Sequence, residues 1–512
     1  MIVPHRRRRA RSSAGRLLQT SIGLLGLALL LLLFADIELQ RPDPWGELAA
    51  IGWGLLSPDF WHIEQLPQAL FNTLAFALLG VALSAPTGLL LALAFHWRWV
   101  RTLCAFVRSI HELFWALLLM QLLGLSPLTG VLAIAIPYSG IFAKIFAEIL
   151  EESDQRAWKL VPPGSDPLSA FCYSRLPQAW PHLRSYTRYR LECALRSSAV
   201  LGFIGLPTLG FHLESAFNQG LYSQSAALIY LLIVLVFALR WLFWHPATVP
   251  LYCLVAILWL PWSLTFDLGL VWHLLSQELL PAPLREQPWQ AQSWLNLYDW
   301  GSVLIQQQAL PGLFNTLILS IIATVASGLL ALLLFPLISS QFLRRRGRSC
   351  GHLLLVSMRS VPELILAFVL LLVIGPSMLP AIIALALHNG AIIGHLIGQA
   401  SDGILLRVDA CFGLNRYLFE VLPRIYRQFL AFTLYRWEVI LRETAILGIL
   451  GIQTLGFYID SAFEELRFDR ALLLILVTAF LNMLVDSSAR WLRLRLNLSD
   501  GPSTLIPTHP TR

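Results

Sequence analysis

Charged residues recur at helical spacing inside apolar stretches of this chain. Four pairs of arginine and glutamate are four positions apart: Arg108/Glu112, Glu192/Arg196, Arg359/Glu363 and Glu438/Arg442. Two residues at that spacing lie on one face of a helix, where opposite charges neutralise each other. An unpaired charge inside a membrane span costs about 3 kcal/mol or more, so it usually has a function or lies near the interface. The spacing predicts either self-neutralised pairs, with arginine reaching towards water, or groups that act on a solute.

Other polar side chains accompany these pairs. Arg196 leads into two serines, Arg442 leads into Glu443 and a threonine, and glycines that allow close helix approach follow in both places. Because Glu443 stands where the first half has a serine, the two halves are not equivalent. We predict that a set of these residues lines a polar pathway, with structural pairing as the alternative. The set is Arg196, Ser197, Ser198, Arg442, Thr444, Tyr138, Ser139, His388 and Asn389.

One block of sequence occurs twice. Residues 176–217 and 422–463 match without a gap at about 19 of 42 positions, far above chance for one composition. Shorter matches precede both blocks in the same order, Phe71-Asn72-Thr73-Leu74 with Phe314-Asn315-Thr316-Leu317 and then 108–113 with 359–364. We therefore divide the chain into a first repeat, 1–245 with its core at 66–245, and a second repeat, 246–512 with its core at 309–490.

Composition places the chain in a membrane. Of its 512 residues, 57% are hydrophobic and 13% are charged, against about 25% charged residues in soluble proteins. Apolar runs of about 20 residues, long enough to span a bilayer, recur in both halves. They predict an all-α polytopic membrane protein with about 12 transmembrane helices, near 17–34, 68–95, 103–124, 128–148, 186–206, 224–243, 248–266, 312–337, 352–374, 378–398, 431–450 and 471–488.

Basic residues predict the orientation of these spans. Arginines before the first span, at 98 and 101, and at 344–348 all fall on the cytoplasmic side. The first apolar run is longer than that of a signal peptide and lacks a cleavage motif, so we interpret it as a retained anchor. Six spans per repeat give both repeats one orientation, a parallel arrangement with a pseudo-twofold pathway. Both termini are then cytoplasmic.

Each repeat carries a long polar segment on the predicted cytoplasmic side, at 149–185 and 399–430. In each, a glycine precedes a short amphipathic stretch and a Leu-Pro pair. The pattern indicates a helix that lies on the membrane face and is stopped by proline, with an ordinary surface loop as the alternative. The residues concerned are Gly164, Leu176, Pro177, Gly413, Leu422 and Pro423.

The order of these motifs resembles the permease of phosphonate ABC transporters, a family of binding-protein-dependent import permeases, with two units fused in one chain. The resemblance rests on R-S-[IV]-x-E-L, the glycine to Leu-Pro loop, Y-R-x-E-x-x-x-R and L-G-x-x-G-x-x-x-L-G-F, and covers 66–245 and 309–490. It implies a type I importer fold in the bacterial inner membrane. It also implies a periplasmic solute-binding protein and a homodimeric ATP-binding subunit docked on the polar segments.

The same resemblance implies an anionic substrate, phosphonate or a related phosphorus oxyanion, for which arginine and hydroxyl groups are suitable donors. Three features depart from the family pattern. The acidic start of the docking loop is replaced by Trp158-Lys159-Leu160, with Val408-Asp409-Ala410 near the corresponding place in the second repeat. The glycine turn is reduced at 205–210 and 451–456, and His111 replaces the proline expected before Glu112.

Several chemistries have no support in the sequence. There is no P-loop, so any ATP hydrolysis belongs to a separate subunit. The six scattered cysteines and the lack of catalytic motifs predict no cofactor, no metal site and no enzyme activity. Basic residues at the ends of apolar runs suggest lipid rather than nucleic acid as the partner. The alternatives are an ion-coupled secondary transporter of a small anion, which needs acids free to exchange ions, and a non-transporting scaffold.

Overall fold

The computed structural model describes residues 5–38, 43–153, 156–162, 164–242, 248–262, 267–285, 289–407 and 412–498. These residues form helices and connecting segments and contain no strand. Six of the described helices are long and apolar enough to cross a membrane, and the number rises to ten if each of four bent helix pairs is one span. The chain is therefore a multi-pass helical membrane protein. The expected repeat boundary at 245–246 and the segment Val408-Asp409-Ala410 lie outside the described residues.

The helices of the first half follow the apolar runs of the sequence. They are α1 (His5–Leu31), α2 (Pro44–Leu56), α3 (Leu66–Leu93), α4 (Arg98–Ser109), α5 (Glu112–Leu123), α6 (Pro127–Glu152), α7 (Arg156–Lys159), α8 (Pro167–Ala170), α9 (Leu176–Val200), α10 (Leu209–Asn218), α11 (Tyr222–Leu242) and α12 (Thr248–Trp259). A π-helical segment, Phe171–Arg175, precedes α9, and a 3₁₀ turn, Leu201–Ile204, follows it.

The second half repeats this order after two shorter helices. Its helices are α13 (Leu268–His273), α14 (Ala291–Leu304), α15 (Leu310–Leu334), α16 (Arg345–Ser360), α17 (Glu363–Ile374), α18 (Met378–Asp402), α19 (Leu422–Ile446), α20 (Leu455–Glu464) and α21 (Phe468–Arg495). The π-helical segments are Leu274–Glu278, Ile305–Ala309 and Arg416–Val421, and the 3₁₀ turns are Ala282–Leu284, Phe335–Leu337 and Leu447–Leu450.

The described chain forms two compact units that differ from the two sequence repeats. One unit, here the N-terminal core unit, comprises Ile51–Trp272. The other, the C-terminal core unit, comprises the described residues up to Ala50 together with those of His273–Asp500. Helix α1 thus belongs to the unit that contains the second core, and α12 belongs to the unit that contains the first.

Specific contacts hold α1 in the C-terminal core unit. Leu17 is buried in a cluster with Leu430 and Leu434 of α19. The Tyr426 hydroxyl donates a hydrogen bond to Ser21 Oγ at 2.6 Å. Close side-chain packing and an interhelical hydrogen bond are the interactions that hold helices together in a membrane, so α1 is a structural part of this unit.

In the N-terminal core unit, α12 packs against α3. The rings of Phe71 and Trp259 lie 5.1 Å apart between their centres in a tilted arrangement. Aromatic pairs in such offset arrangements contribute about 0.5–1.5 kcal/mol beyond the area that they bury. The twelve residues of α12 are fewer than the span of 19 that the sequence predicts at 248–266.

The predicted spans at 103–124 and 352–374 are not single straight helices. Helices α4 and α5 meet at 89°, and α16 and α17 meet at 86°. The backbone is extended at Ile110 and His111 and again at Val361 and Pro362. A proline disfavours the helical conformation of the residue before it, which explains the second bend. His111 takes the same backbone conformation as Pro362, and its Nδ1 accepts a hydrogen bond from the backbone N–H of Leu113 at 3.2 Å.

The predicted helix stop at the Leu-Pro pairs is wrong. Residues from Pro167 to Ile204 form one helix that runs through the pair Leu176-Pro177. The Leu176 N–H donates to the carbonyl of Phe171, five residues back, and Leu422 donates likewise to Tyr417. The wider π-helical turn leaves each proline at the first turn of the next α-helix, where the N–H that it lacks is not needed.

A tight turn joins α9 to α10, and an equivalent turn joins α19 to α20. Gly205 and Gly451 adopt positive φ angles of +91° and +84°, a conformation in which glycine is not strained. Gly210 lies against the backbone of α9, because a Cβ atom there would be 1.8 Å from the carbonyl oxygen of Ala199. The turn therefore retains a glycine with a positive φ angle and a glycine that allows close contact with the backbone of α9.

The Asn-Thr pairs of the repeated F-N-T-L motif hold these turns in place. In the first half, Asn72 Nδ2 donates to the carbonyl of Pro207 at 2.9 Å, and Thr73 Oγ1 accepts from the N–H of Leu209 at 2.9 Å. In the second half, Asn315 and Thr316 make the same bonds to the carbonyl of Gln453 and the N–H of Leu455, at 2.8 and 3.0 Å. Backbone groups of the two turns and of the helix N-termini that follow them therefore find side-chain partners on α3 and α15.

We predict that Gly210→Ala lowers stability by about 1–3 kcal/mol, because the added methyl group overlaps backbone atoms and forces the turn apart. Apparent Tm of the purified protein in detergent measures the effect. Gly301→Ala is the matched control, since a Cβ atom at this helical glycine meets nothing within 4 Å and alanine favours the helix by about 0.5–1 kcal/mol. Equal Tm values for the two variants would contradict the close packing at Gly210.

Candidate functional site

Glu112 and Glu363 are the first residues of α5 and α17, directly after the two sharp bends. A carboxylate at a helix N-terminus is stabilised by the partial positive charge of the unpaired N–H groups. Arg108 and Arg359 lie in the last turns of the preceding helices, α4 and α16. Neither arginine shares a helix face with the glutamate four positions later. The prediction that these residues form i,i+4 pairs on one helix is therefore wrong.

In the first half, Glu112 belongs to a chain of polar contacts that links three helices. Ser197 Oγ on α9 donates to Glu112 Oε1 at 2.5 Å, and the Tyr138 hydroxyl on α6 lies 3.1 Å from the same Oγ. Because the serine proton points to the carboxylate, the tyrosine donates to the serine. The guanidinium carbon of Arg190 lies 4.2 Å from the centre of the Tyr138 ring, a cation–π contact. His111 Nε2 lies 3.5 Å from Glu112 Oε2.

In the second half, an arginine, an asparagine and a glutamate form a closed ring of contacts. Arg436 Nε on α19 donates to Asn389 Oδ1 on α18 at 2.7 Å, and Arg436 Nη2 contacts the same oxygen. Asn389 Nδ2 donates to Glu443 Oε2 at 2.9 Å, and Arg436 Nη2 lies 3.4 Å from Glu443 Oε1. All three residues are buried. The charge of the arginine is therefore balanced within the protein by charge-assisted hydrogen bonds.

A histidine links this region to the bend before α17. His388 precedes Asn389 on α18 and is almost fully buried, with 1% of its surface exposed. Its Nδ1 lies 3.1 Å from the carbonyl oxygen of Val361, and its Nε2 lies 3.6 Å from Glu363 Oε2. The ring thus contacts both a backbone group left unpaired by the bend and the carboxylate that begins α17.

The two arrangements differ at a position of the repeated block that contacts a charged partner in both copies. Arg190 and Arg436 occupy matching positions in it, and so do Ser197 and Glu443. Ser197 bonds a carboxylate of a neighbouring helix, whereas Glu443 places a carboxylate beside the arginine of its own helix. Arginine, serine and tyrosine side chains are donors suited to an anion. Among the residues described, no group of three or more His, Cys, Asp or Glu side chains is placed to hold a metal ion.

The other predicted pairs keep their spacing on uninterrupted helices. Glu192 and Arg196 both lie on α9, and Glu438 and Arg442 both lie on α19. Arg196 Nη2 contacts the sulfur of Cys193 at 3.5 Å. These residues remain predicted pathway and charge-pair positions, and the clusters at Arg190 and Arg436 lie six positions earlier on the same helices.

Three predicted pathway hydroxyls bond backbone carbonyls. Ser198 Oγ donates to the carbonyl of Thr73 on α3 at 2.7 Å and so joins α9 to α3. Ser139 Oγ donates to Ile136 at 2.6 Å and Thr444 Oγ1 to Leu441 at 2.7 Å, each within its own helix. Ser198 and Thr444 are fully buried. Their recorded bonds are structural, and a role of these hydroxyls towards a solute stays a prediction.

The sequence analysis did not single out Arg190 and Arg436 as functional residues. Both stand in the Y-R-x-E motif. The glutamate two positions later was instead predicted to pair with the arginine four positions beyond it. The contacts of Arg190 and Arg436 lie on α6 and α18, about 50 positions earlier in the chain. The available signal was that the arginine itself recurs in both copies of the block.

In the first half, the predicted docking segment carries exposed side chains between hydrogen-bonded residues. Gly164 has a φ angle of +93°. Asp166 Oδ2 accepts a hydrogen bond from the Ser169 N–H at 2.8 Å, and backbone hydrogen bonding from Ser169 holds the pKa of Asp166 below its usual range. Arg175 donates to the carbonyl of Leu150 near the end of α6, at 2.9 Å. Leu168 and Tyr173 project outward between these points, with Tyr173 87% exposed.

The segment in the second half has the same layout. Gly413 has a φ angle of +66°. Arg416 donates to the carbonyl of Gln341 at 2.8 Å, and the Tyr417 hydroxyl donates to the carbonyl of Leu332 at 3.0 Å. Phe412 and Phe419 are exposed, at 83% and 75%. A docking role for these exposed side chains stays a prediction.

Comparison with known proteins identifies relatives of this chain. It is 26% identical over 428 residues to the phosphate-import permease protein PhnE of Mycolicibacterium smegmatis, a match that covers 77% of each chain. It is 27% identical over 199 residues to the phosphite transport system permease protein PtxC of Stutzerimonas stutzeri, covering 72% of that protein. It is 33% identical over 113 residues to the cryptic phosphonate transport system permease protein PhnE2 of Escherichia coli K12, covering 93% of that protein. No family model and no solved structure matches the chain.

We predict that Arg436→Gln destabilises the protein by about 3–5 kcal/mol, because it leaves Glu443 as an uncompensated buried charge. The double variant Arg436→Gln with Glu443→Gln removes both charges and is expected to recover most of that loss. Apparent Tm and the amount of folded protein in membranes measure both variants. Additive losses in the double variant would show that the two side chains do not compensate each other.

Proposed function

Because this chain belongs to the permeases of phosphonate and phosphite ABC transport systems, we propose that it is a transmembrane permease that imports a phosphorus oxyanion using ATP hydrolysed elsewhere. The observation that carries this proposal is the match to PhnE, which extends over 77% of the chain. The relatives work in binding-protein-dependent import systems, so the partners are an ATP-binding subunit and a solute-binding protein. The chain itself is not an enzyme.

The proposed architecture is twelve transmembrane helices in two parallel repeats of six. The six long helices and the four bent pairs account for ten spans. The two shorter apolar helices, Gly15–Leu31 and Thr248–Trp259, supply the other two. The repeated bends of 89° and 86° and the repeated Asn-Thr contacts to the turns support the duplication. This arrangement places both termini in the cytoplasm of a bacterial cell, with membrane lipid around the helices.

The proposed docking surface for the ATP-binding subunit consists of the exposed side chains beside Gly164 and Gly413. Leu168 and Tyr173 form its first part, and Phe412 and Phe419 form its second. Both parts are tied to the body of the protein by arginine bonds to helix-end or loop carbonyls. A rigid attachment of this kind can transmit movement of the ATPase to α9 and α19. In this proposal each part contacts one of the two copies of a homodimeric ATP-binding subunit.

The proposed substrates are tetrahedral phosphorus oxyanions. The names of the relatives specify phosphate, phosphite and phosphonate. These anions share the oxygens that arginine and hydroxyl groups bind, so selection among them rests largely on the solute-binding protein. In this proposal the pathway is formed by both repeats and includes Tyr138, Ser197 and the predicted pathway residues on α9 and α19.

We predict that deletion of the gene abolishes uptake of at least one of labelled phosphonate, phosphite and phosphate in phosphate-starved cells, and that restoration recovers it. Uptake is expected to cease when the partner ATPase is inactivated. Uptake that continues without the ATPase but collapses with an uncoupler would instead support the ion-coupled transporter.

We predict that replacing Tyr173 and Phe419 together by alanine reduces retention of the ATP-binding subunit by at least about tenfold, since each exposed aromatic anchor contributes about 1–2 kcal/mol to an interface. Co-purification with the tagged permease measures retention. Trp61→Ala is the control, because Trp61 is 93% exposed in a segment separate from the docking surface and should not alter retention. Full retention by the double variant would disprove the assigned surface.

A further inference from the structure

We propose that Arg190 binds the transported anion, whereas Arg436, its counterpart in the second repeat, is held by Glu443 and does not. The duplication would then carry one open arginine site and one site closed by the protein's own carboxylate. This inference rests on the proposed function for the identity of the anion, a tetrahedral phosphorus oxyanion. It goes beyond that function by assigning the anion contact to one repeat and one residue.

The first step concerns the state of Arg190. Its guanidinium contacts the face of the Tyr138 ring, and its Nε atom is buried with no hydrogen-bond partner among the described residues. A buried N–H of a charged group without an acceptor is costly. The cation–π contact offsets part of that cost but accepts no hydrogen bond from the guanidinium. An oxyanion supplies the missing acceptors.

The second step concerns the carboxylate of the first repeat. Glu112 accepts a short hydrogen bond from Ser197 Oγ and lies near His111. Its close partners are thus a hydroxyl and an imidazole group, and among the described residues no salt bridge joins it to Arg190. Tyr138 and Ser197 separate the two charged groups as links of one hydrogen-bond chain. The guanidinium is left available for a mobile anion.

The third step is the contrast with Arg436. Its Nε and Nη2 atoms both contact Asn389 Oδ1, and Nη2 also faces Glu443. An incoming anion would have to displace a buried carboxylate with which the arginine already shares a charge-assisted contact. The difference of Ser197 against Glu443 at matching positions gives only the second arginine a carboxylate on its own helix. A charge swap at this position is therefore a direct test.

The experiment compares Ser197→Glu with Ser197→Gln in cells that express the whole transporter, using uptake of labelled phosphonate, phosphite and phosphate. Glutamate at this position should form an ion pair with Arg190, as Glu443 does with Arg436. Glutamine has about the same size but no charge. We expect uptake at least about tenfold lower for the glutamate variant than for the glutamine variant, since a charged hydrogen bond is lost to the substrate. Membrane content and co-purified ATPase must be equal for the two variants.

Three further variants keep the test decisive if Ser197→Glu does not reach the membrane. Arg190→Gln should lose uptake, Arg190→Lys should retain part of it with a raised KM, and the double variant Arg436→Gln with Glu443→Gln should retain at least about half, because it removes a charge pair that already balances itself. Loss of uptake in the Arg436 double variant with normal uptake in Arg190→Gln would reverse the assignment and overturn it.

The outcomes separate this inference from the proposed function. Equal uptake by the Ser197→Glu and Ser197→Gln variants, in cells whose wild-type permease transports the anion, overturns only the role of Arg190. If the wild-type permease carries none of the three anions, the proposed function fails and the anion assignment fails with it.

Discussion

The cost of burying charge among apolar helices governs the structure of this protein. A carboxylate or guanidinium inside a membrane protein must meet an opposite charge, a dense set of hydrogen bonds or a mobile ion. Glu112 and Glu363 meet helix N-termini, which exist only because the chain bends sharply before them. Arg436 meets Asn389 and Glu443. The polar contacts between helices follow from this requirement, and the two bends supply the helix N-termini that satisfy it at Glu112 and Glu363.

Much of the helical framework could be predicted from sequence, because apolar runs, prolines and glycines act locally. The bend before Glu363 has a local cause in Pro362, but the bend before Glu112 does not, since His111 has no fixed φ angle. A spacing of four between Arg108 and Glu112 suits a straight helix, and that pattern was misleading. The Leu-Pro pairs were read as helix ends because a π-helical turn that accommodates proline has no clear local signature.

The polar clusters could be predicted only in part, because their partners are distant in the chain. The repeated block identified α9 and α19 as important helices and included Ser197, and Tyr138 and Asn389 were predicted as polar positions on apolar spans. The contacts of Arg190 with Tyr138 and of Arg436 with Asn389 join positions about 50 residues apart, which spacing along one helix does not reveal. Among the differences between the copies, Ser197 against Glu443 gives Arg436 a carboxylate beside it, whereas Arg190 faces a tyrosine ring.

The membership of α1 in the C-terminal core unit has a consequence for synthesis of the chain. Ser21 and its partner Tyr426 are 405 positions apart. At about 5–20 residues per second, roughly 20–80 s elapse between the emergence of this helix from the ribosome and that of its partner. During this time the apolar face around Leu17 must be covered by lipid or by the insertion machinery. A chain truncated before α19 cannot bury that face in its native contacts, so the packing of α1 is completed only after most of the chain has been synthesised.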